Sequence, residues 1–259
     1  MRKLWLIGFG LLVLPLAGQE EADTKDFTRW SGSISLGSYY ALTDMFQGRL
    51  EDDLIDFQEN SFTIQLAGQY FFHPKLGVEA IYHGGRGASL DDRLQRLEEI
   101  MMDRYSNENF TEVFSSTAFG GSDGPFGSLE RSYVGLVGRF ESGDFKFYPK
   151  LLFGLTIIYT DYVEVDLKGR GTNEYQRVRI ETLDITQTIP TGAGGLGVTY
   201  PIHEALHVQL DVLYSYFQSD FTFRERSENL VSGESTDTFT LYRSDIHNLA
   251  GFLGLRLDF

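Results

Sequence analysis

Apolar and polar side chains alternate with a period of two along most of the chain from residue 30 onward. That period is typical of a β-strand with one apolar and one polar face. Eight segments show it, and most reach the roughly 9 to 11 residues that a tilted strand needs to cross a bilayer. Their apolar positions are Trp30, Ile34, Leu36, Tyr40 and Leu42; Phe62, Ile64, Leu66, Tyr70 and Phe72; Leu76, Val78, Ala80 and Tyr82; Val134, Leu136 and Phe140; Phe145, Phe147, Leu151, Phe153, Leu155, Ile157 and Tyr159; Leu196, Val198 and Tyr200; Leu206, Val208, Leu210, Val212, Tyr214 and Tyr216; and Leu249, Leu253, Leu255, Leu257 and Phe259.

Side-chain volume indicates which face lines the interior. The interior of an eight-stranded barrel is just wide enough for side chains to fill it. The apolar face, rich in Trp, Phe, Tyr and Leu, is too bulky to fit there, whereas the opposite face of Gly, Ser, Ala, Thr and Gln could. The pattern therefore favours a barrel that turns its apolar face to lipid over the alternative, a soluble lipocalin-like barrel.

The connections between the segments alternate in length. Short turns at 73–75, 141–144 and 201–204 join three pairs of segments, and long connections at about 43–60, 86–129, 160–185 and 218–240 join the others. This alternation is expected when one rim faces the periplasm and the other faces outward. The sequence thus predicts an all-β fold, an eight-stranded antiparallel up-and-down transmembrane β-barrel with long extracellular loops.

The long connections carry signals of their own. Leu90, Leu94, Leu97 and Met101 form a helical apolar stripe, which predicts a short amphipathic helix at 90–104. The third and fourth long loops are predicted to be hairpins that project beyond the membrane, with turns at 168–171 and 232–233. The first long loop is acidic, but it lacks the spacing of a calcium loop, and we interpret it as a solvated surface.

The N-terminus has the composition of a secretory signal peptide. Arg2 and Lys3 precede the almost wholly apolar segment 4–14, and small residues follow at 17–18. The alternative, a transmembrane anchor, would need roughly 20 apolar residues, more than the segment offers. We predict a signal peptide at 1–18, a short periplasmic segment at 19–27 and the outer-membrane barrel at 28–259.

Composition excludes several classes of function. The chain has 22 Lys and Arg against 37 Asp and Glu, a net charge of −15, which argues against nucleic acid as a partner. It has no cysteine, so it can form neither a disulfide nor a thiolate metal site. No metal site or cofactor is predicted.

Two sets of residues are candidates for functional roles in such a barrel. The charged residues on the polar parity are predicted to form a paired network in the lumen, because an unpaired buried charge costs several kcal/mol; they are Glu79, Arg139, Lys146, Lys150, Asp211 and Arg256. The aromatic residues near the segment ends are predicted to lie at the membrane interfaces; they are Trp30, Tyr40, Tyr70, Phe72, Tyr82, Phe140, Phe145, Tyr159 and Tyr200.

The C-terminal strand carries a family resemblance. Residues 253–259 alternate and end in Phe259, and together with the signal peptide and the turn alternation they resemble the small outer-membrane barrels typified by OmpA, OmpX and OmpW. The resemblance implies the outer membrane of a Gram-negative bacterium, with lipid and lipopolysaccharide as surroundings. It also implies that the barrel-assembly machinery reads a C-terminal signal made of Leu255, Leu257 and Phe259.

The predicted function is a structural or surface-interaction role, in which the loops bind an extracellular or envelope protein while polar side chains close the lumen. The alternative is a narrow channel or conduit for small, in particular apolar, solutes, similar to what OmpW-like barrels suggest. Pro149 and Pro190 both occupy lipid-facing positions of their strands. Because a proline removes a hydrogen bond between strands, either could mark a local opening in the barrel wall for such a conduit. A subunit of a larger envelope machine is a third class.

We predict no enzymatic activity. Of the five histidines, only His83 and His247 approach the outer side of the predicted barrel. Asp245 shares a strand face with His247, but Ser244 points the other way, so this spacing does not make a catalytic triad.

Overall fold

A computed structural model describes residues 27–42, 61–86, 110–114, 129–159, 162–169, 175–184 and 186–259. Within these ranges, no helix is long and apolar enough to cross a membrane. The described strands are β1 (Trp30–Ala41), β2 (Ser61–His73), β3 (Leu76–Arg86), β4 (Phe110–Phe114), β5 (Leu129–Gly138), β6 (Phe140–Ser142), β7 (Phe145–Tyr159), β8 (Tyr162–Gly169), β9 (Tyr175–Thr182), β10 (Thr186–Pro201), β11 (Leu206–Asn229) and β12 (Ser235–Asp258).

Eight of these strands close into a ring. The order around it is β1, β2, β3, β5, β7, β10, β11 and β12, and β12 pairs with β1 to complete the circle. Every neighbouring pair is antiparallel. The short strand β6 continues the path of β5 beyond Arg139 and pairs with β7. The predicted eight-stranded antiparallel barrel is confirmed.

The strands are staggered around the ring. Directly paired residues lead from Tyr40 on β1 once around the barrel and return to β1 at Trp30, ten positions earlier. The residues passed on the way are Leu249, Tyr214, Gly194, Leu151, Leu136, Val78 and Tyr70. Such a stagger requires the strands to tilt by roughly 40° from the barrel axis. Ten residues at that tilt rise by roughly 25 Å, the height of the apolar band of an outer-membrane barrel.

Burial alternates along each strand as the sequence predicts. On β12, Leu249, Leu253 and Leu255 are exposed on the outside, whereas Ala250 and Phe252 between them are buried inside. Aromatic residues therefore also occur in the interior, where Tyr39, Phe71, Tyr133 and Tyr148 are buried. The inward-facing side chains are thus not all small. A few large rings fill the space that the many inward-facing Gly and Ser residues leave.

The two rims of the barrel differ. Short turns close one rim, which we call the short-turn rim; they join β2 to β3, β6 to β7 and β10 to β11. At the turn between β6 and β7, Gly143 has a φ of 61°, a left-handed conformation that glycine adopts without steric cost. We call the opposite end the long-loop rim. The predicted short turns are confirmed.

A sheet projects beyond the long-loop rim. β11 and β12 are 24 residues long each and stay paired along almost their full length, up to a hairpin with Gly233 at a φ of 75°. The hairpin of β8 and β9 lies beside them, because β9 pairs with the upper part of β11, and β4 pairs with β8. Both projecting hairpins predicted from the sequence are confirmed. The predicted helix at 90–104 and the acidic first loop lie outside the described residues.

Candidate functional site

Lys150 lies between two carboxylates in the middle of the lumen. Its Nζ is 2.9 Å from Glu79 Oε1 and 2.7 Å from Asp211 Oδ1, and all three side chains are almost completely buried. Two glutamine amides complete the group, since Gln69 Nε2 donates to Glu79 at 2.7 Å and Gln65 Nε2 donates to Asp211 at 2.8 Å. Three of the six predicted lumen charges therefore form one hydrogen-bonded group that joins four strands.

A second group lies closer to the short-turn rim. Arg256 Nε donates to Asp258 Oδ1 at 2.7 Å, and its Nη1 donates to Gln69 Oε1 at 2.6 Å. Lys146 Nζ is 3.6 Å from the other oxygen of Asp258. Because Gln69 also binds Glu79, it connects this group to the Lys150 triad. Asp258 supplies a carboxylate that the six predicted residues lack.

Arg139 stands apart from both groups. Its Nη2 donates to the carbonyl oxygen of Thr28 at 2.9 Å, and its guanidinium lies 3.7 Å above the centre of the Phe71 ring. Among the described residues it has no ion pair within 4 Å. The six predicted charges thus divide into a triad, a pair beside Asp258 and one arginine held by a carbonyl and an aromatic ring.

Arg131 is a lumen cation that was not predicted from the sequence. Arg131 on β5 is 1% exposed and stacks 3.7 Å above the Tyr39 ring. Around it lie the rings of His83, which stacks on Phe252 at 4.6 Å, and of Tyr133. Arg131 is eight residues before Arg139, and an even separation along a strand puts two side chains on the same face. Because Arg139 was predicted to point inward, this spacing could have predicted the same for Arg131.

The predicted interface aromatics lie on the outside of the barrel, at different heights. Near the short-turn rim, Trp30 packs on Tyr70 at 4.5 Å between ring centres and Phe145 packs on Tyr200 at 5.2 Å. Phe72 and Phe140 are at the same rim, while Tyr40 and Tyr159 are at the opposite ends of their strands. Tyr82 lies four residues before the end of β3.

The C-terminal residue meets the first strand. The Phe259 N–H donates to the carbonyl oxygen of Trp30 at 2.8 Å, while its ring is 74% exposed on the outer face. Leu255 and Leu257 are exposed on the same face of β12. The three residues of the predicted assembly signal therefore share one outer surface at the seam where the barrel closes.

The residues considered for catalysis are separated by the barrel wall. Asp245 and His247 are on the outside, where they contact the hydroxyls of Tyr216 and Tyr214, and Ser244 is buried inside. His83 lies in the lumen, and its Nε2 donates to Gln65 Oε1 at 2.8 Å. The arrangement therefore gives a serine nucleophile no neighbouring histidine on β12.

The outer face of the projecting sheet is lined by ion pairs, both between neighbouring strands and within β9. Arg177 forms a two-point contact with Asp166, at 2.8 and 3.1 Å, and lies 3.3 Å from Glu164. Arg179 is 2.6 Å from Glu181, which also binds Arg224. Opposite charges on neighbouring strands stabilise a sheet by roughly 0.2–1 kcal/mol per pair.

These contacts shift the acid–base equilibria of the sheet. The hydrogen bond to Asp166 raises the pKa of Arg177. Burial alone would raise the pKa of Glu181, but the hydrogen bonds from Arg224 and Arg179 outweigh it and lower that pKa. Arg177 and Glu181 are consequently both charged at neutral pH.

A closed barrel with bulky apolar side chains outside, aromatic rings toward both rims and a packed polar interior is a transmembrane β-barrel of the outer-membrane class. The comparison with known families agrees. The chain belongs to the family described as the outer membrane protein beta-barrel domain, whose model matches residues 9–241.

Solved structures with a similar fold include three outer-membrane or surface proteins. Neisserial surface protein A is 11% identical, with a TM-score of 0.42 over 92% of this chain and 100% of its own. A major outer membrane protein of Thermus thermophilus is 13% identical, with a TM-score of 0.38 over 90% of this chain and 100% of its own. The attachment invasion locus protein Ail of Yersinia pestis is 14% identical, with a TM-score of 0.37 over 90% and 100%. No curated protein matches the chain.

Proposed function

We propose that this protein is a surface-interaction barrel of a Gram-negative outer membrane, with a closed lumen and a projecting sheet that binds an extracellular or envelope protein. The observation that carries the proposal is the length of β11 and β12, which at 24 residues are about twice as long as crossing the membrane requires. The proposal includes removal of the 1–18 signal peptide, recognition of Phe259 during assembly, a lipopolysaccharide environment and no catalytic activity.

Packing of the lumen supports the closed state. Three layers of side chains follow one another from the short-turn rim to the long-loop rim. They are the group of Arg256, Lys146 and Asp258, then the Lys150 triad, then the aromatic cluster around Tyr39. Each contributes side chains that are almost completely buried. Since an eight-stranded barrel has room for little more than its own side chains, this filling by the described residues supports a lumen without a wide water path.

Composition of the projecting sheet supports binding. On the outer face, Phe239 and Leu241 of β12 are 57% and 62% exposed, and Phe239 pairs with Arg224 of the ion-pair network. A cavity of about 340 Å³ beside them is lined by Glu164, Arg177, Arg179, Arg224, Arg226 and Glu228. Exposed aromatic residues next to arginines held in place by carboxylates are typical of the residues that dominate protein interfaces.

Site-specific photo-crosslinking in intact cells tests this function. A photoreactive phenylalanine analogue at Phe239 is expected to give a discrete protein adduct of constant mass, because its side chain would lie in the interface. The matched control is the same analogue at Phe72, which is 53% exposed at the short-turn rim and should crosslink to lipid alone. Absence of a protein adduct from Phe239 and from Leu241, under conditions that label lipid from Phe72, would contradict the binding role.

One observation favours the second candidate, a narrow conduit. Pairing of β10 with β11 stops at Gly192 and Tyr216, two residues short of Pro190 on the way to the long-loop rim, and this edge of β11 pairs again, with β9, from Phe223 onward. The groove there has a volume of about 790 Å³ and is bridged by Gln187, which accepts a hydrogen bond from Ser219 at 2.9 Å. The pairing of β7 with β10, in contrast, runs through Pro149 and Pro190 without a shift.

Conductance across planar bilayers separates the two functions. The binding role predicts silence, while a conduit predicts steady single-channel steps that change when Gln187 is replaced by Ala. The groove lining is largely hydroxyl, amide and charged, so a conduit there would suit polar solutes better than the apolar ones expected from the OmpW resemblance.

A further inference from the structure

The upper part of β12 is an edge of the projecting sheet. β1 pairs with β12 only as far as Ala41 and Asn248, followed by one further hydrogen bond from Leu42 N to the carbonyl oxygen of His247. Beyond that point, β12 pairs with β11 on one side and with no described strand on the other. We call this second side, over residues 235–246, the free edge of β12.

The free edge is regular and accessible. The side chains of residues 235–241 are exposed on both faces of the strand. The pairing with β11 runs through this segment without a bulge, and residues 235–246 contain neither Lys nor Pro. Bulges, Lys and Pro are features that commonly keep an exposed edge from pairing with another strand. The free edge therefore has the properties of an edge to which a further strand can be added.

The backbone groups that point to the free edge belong to odd-numbered residues. On the β1 side, the carbonyl oxygen of His247 accepts a hydrogen bond and the N–H of Phe259 donates one, whereas the N–H of Asp258 donates toward Ala205 on the β11 side. This direction alternates along an antiparallel strand. The residues whose N–H and C=O groups face out of the free edge therefore include Asp237, Phe239, Leu241 and Arg243.

The sequence of this segment is complementary to itself. When two copies run antiparallel with Thr240 opposite Thr240, Phe239 of one copy meets Leu241 of the other, and Asp237 meets Arg243. Each of these pairs would exchange two backbone hydrogen bonds, and the charged pairs would join opposite signs. A shift of two residues, which gives the next hydrogen-bonding register, would instead place Asp237 opposite Leu241 or opposite Asp245.

Both charged residues are available for such a contact. Asp237 is exposed, and among the described residues it has no ion pair within 4 Å. Arg243 binds Asp220 through two N–H groups, but its side chain is 68% exposed and its guanidinium has further donors. A second copy would thus gain charge pairs without breaking a buried contact.

The direction of the strands decides how two copies can meet. Copies in one membrane run β12 in the same direction, so an antiparallel pair requires copies that project toward each other from opposed membranes. We propose that the free edge of β12 binds the free edge of a second copy of this chain on an opposed membrane, in the register centred on Thr240. The inference rests on the proposed binding role of the projecting sheet and names its partner.

Single cysteines test the register in the full chain refolded into lipid vesicles, because the chain has no cysteine of its own. In the proposed pair the two Thr240 residues oppose each other without hydrogen bonds, with Cα atoms about 4.5 Å apart, within reach of a disulfide. Thr240→Cys should therefore form a disulfide dimer under mild oxidation. Thr236→Cys, an exposed Thr on the same face of the strand, is the matched control and should stay monomeric, because its two copies would lie about 27 Å apart.

Charge reversal in two vesicle populations tests the partner. Wild-type vesicles should aggregate, and Asp237→Arg or Arg243→Asp alone should slow aggregation roughly tenfold, since each variant places like charges opposite each other. Mixing the two variant populations should restore aggregation, because every charged pair between them again joins opposite signs. Light scattering measures the rate, and heat-modifiable migration on a gel verifies that each variant is folded.

Three results would overturn the inference: no dimer from Thr240→Cys, equal dimer yields from Thr240→Cys and Thr236→Cys, or no recovery of aggregation on mixing. A photo-adduct of Phe239 with a different protein, together with no Thr240→Cys dimer, would overturn the self-pairing and leave the proposed binding function in place. Absence of both the dimer and every protein adduct would contradict the two together.

Discussion

At the scale of single residues, the interior depends on a few contacts that cannot be altered independently. Lys150 forms ion pairs with both Glu79 and Asp211, at 2.9 and 2.7 Å, so that two buried carboxylates share one cation. Gln65 and Gln69 donate further hydrogen bonds to Asp211 Oδ2 and Glu79 Oε1, whereas Glu79 Oε2 is buried without a hydrogen-bond partner among the described residues. Removal of one partner from such a group leaves a buried charge behind, which costs more than removal of the whole group.

Lys150→Met should therefore destabilise the barrel by about 3–5 kcal/mol, because it leaves Glu79 and Asp211 buried without a cation. The triple variant Glu79→Gln, Lys150→Met and Asp211→Asn should recover most of that loss. Urea unfolding in lipid vesicles measures both. A cost below about 1 kcal/mol for Lys150→Met would show that water reaches the triad and screens it.

The close approach of neighbouring strands also constrains single residues, and Gly154 on β7 is an example. A Cβ at Gly154 would overlap the carbonyl oxygen of Ser132, whereas a Cβ at Gly192 on β10 would meet no atom within 4 Å. Gly154→Ala should cost about 1–3 kcal/mol in the same unfolding assay, and Gly192→Ala should cost little. Equal stabilities of the two variants would contradict the spacing of β5 and β7.

At the scale of elements, the projecting sheet has one apolar and one charged face. Val178, Ile180, Phe221 and Phe223 are buried on its inner face, while the ion pairs of Arg177, Arg179 and Arg224 line its outer face. Its strands continue those of the barrel, so the same two-residue period runs from membrane to solvent. On the outer face of the projecting sheet, Arg and Glu side chains lie beside the exposed Phe239 and Leu241.

The lowered pKa of Glu181 makes the upper sheet sensitive to acid. A carboxyl group whose pKa is lowered on folding contributes stability above its ordinary value of 4.5 and loses that contribution as the pH falls through the folded pKa. Hydrogen exchange of β9 should be roughly two- to fivefold slower in wild type than in Glu181→Gln at pH 7. The difference should shrink below pH 4.5 and then vanish. Equal protection at pH 7 would contradict the role of the network.

At the scale of the whole molecule, the strand number and the face that points outward follow from local patterns of the sequence. The alternation along Leu249–Leu257 and the short turns at 73–75, 141–144 and 201–204 were sufficient to predict eight antiparallel strands. The side-chain partners could not be predicted. Which cation meets Asp258 depends on the ten-residue stagger that brings β7 and β12 together across the lumen, and no local pattern encodes it.

Arg131 was missed for a related reason. It lies at the junction of a long loop and a strand, where the alternation of apolar residues has not yet begun, so only its parity relative to Arg139 places it inside. Arg139 likewise stands apart from the other predicted lumen charges, because the interior aromatics Tyr148 and Phe71 lie among the charges.

Orientation of the strands relative to lipid is the claim on which the other conclusions depend, and a nitroxide scan along β12 measures it most directly. The chain has no cysteine, so single cysteines at 249, 250, 251, 252 and 253 can be labelled without background in lipid vesicles. Collision with lipid-soluble oxygen should be high at 249, 251 and 253 and low at 250 and 252. The opposite alternation, or high access of a water-soluble reagent at 249, 251 and 253, would contradict a barrel that faces lipid.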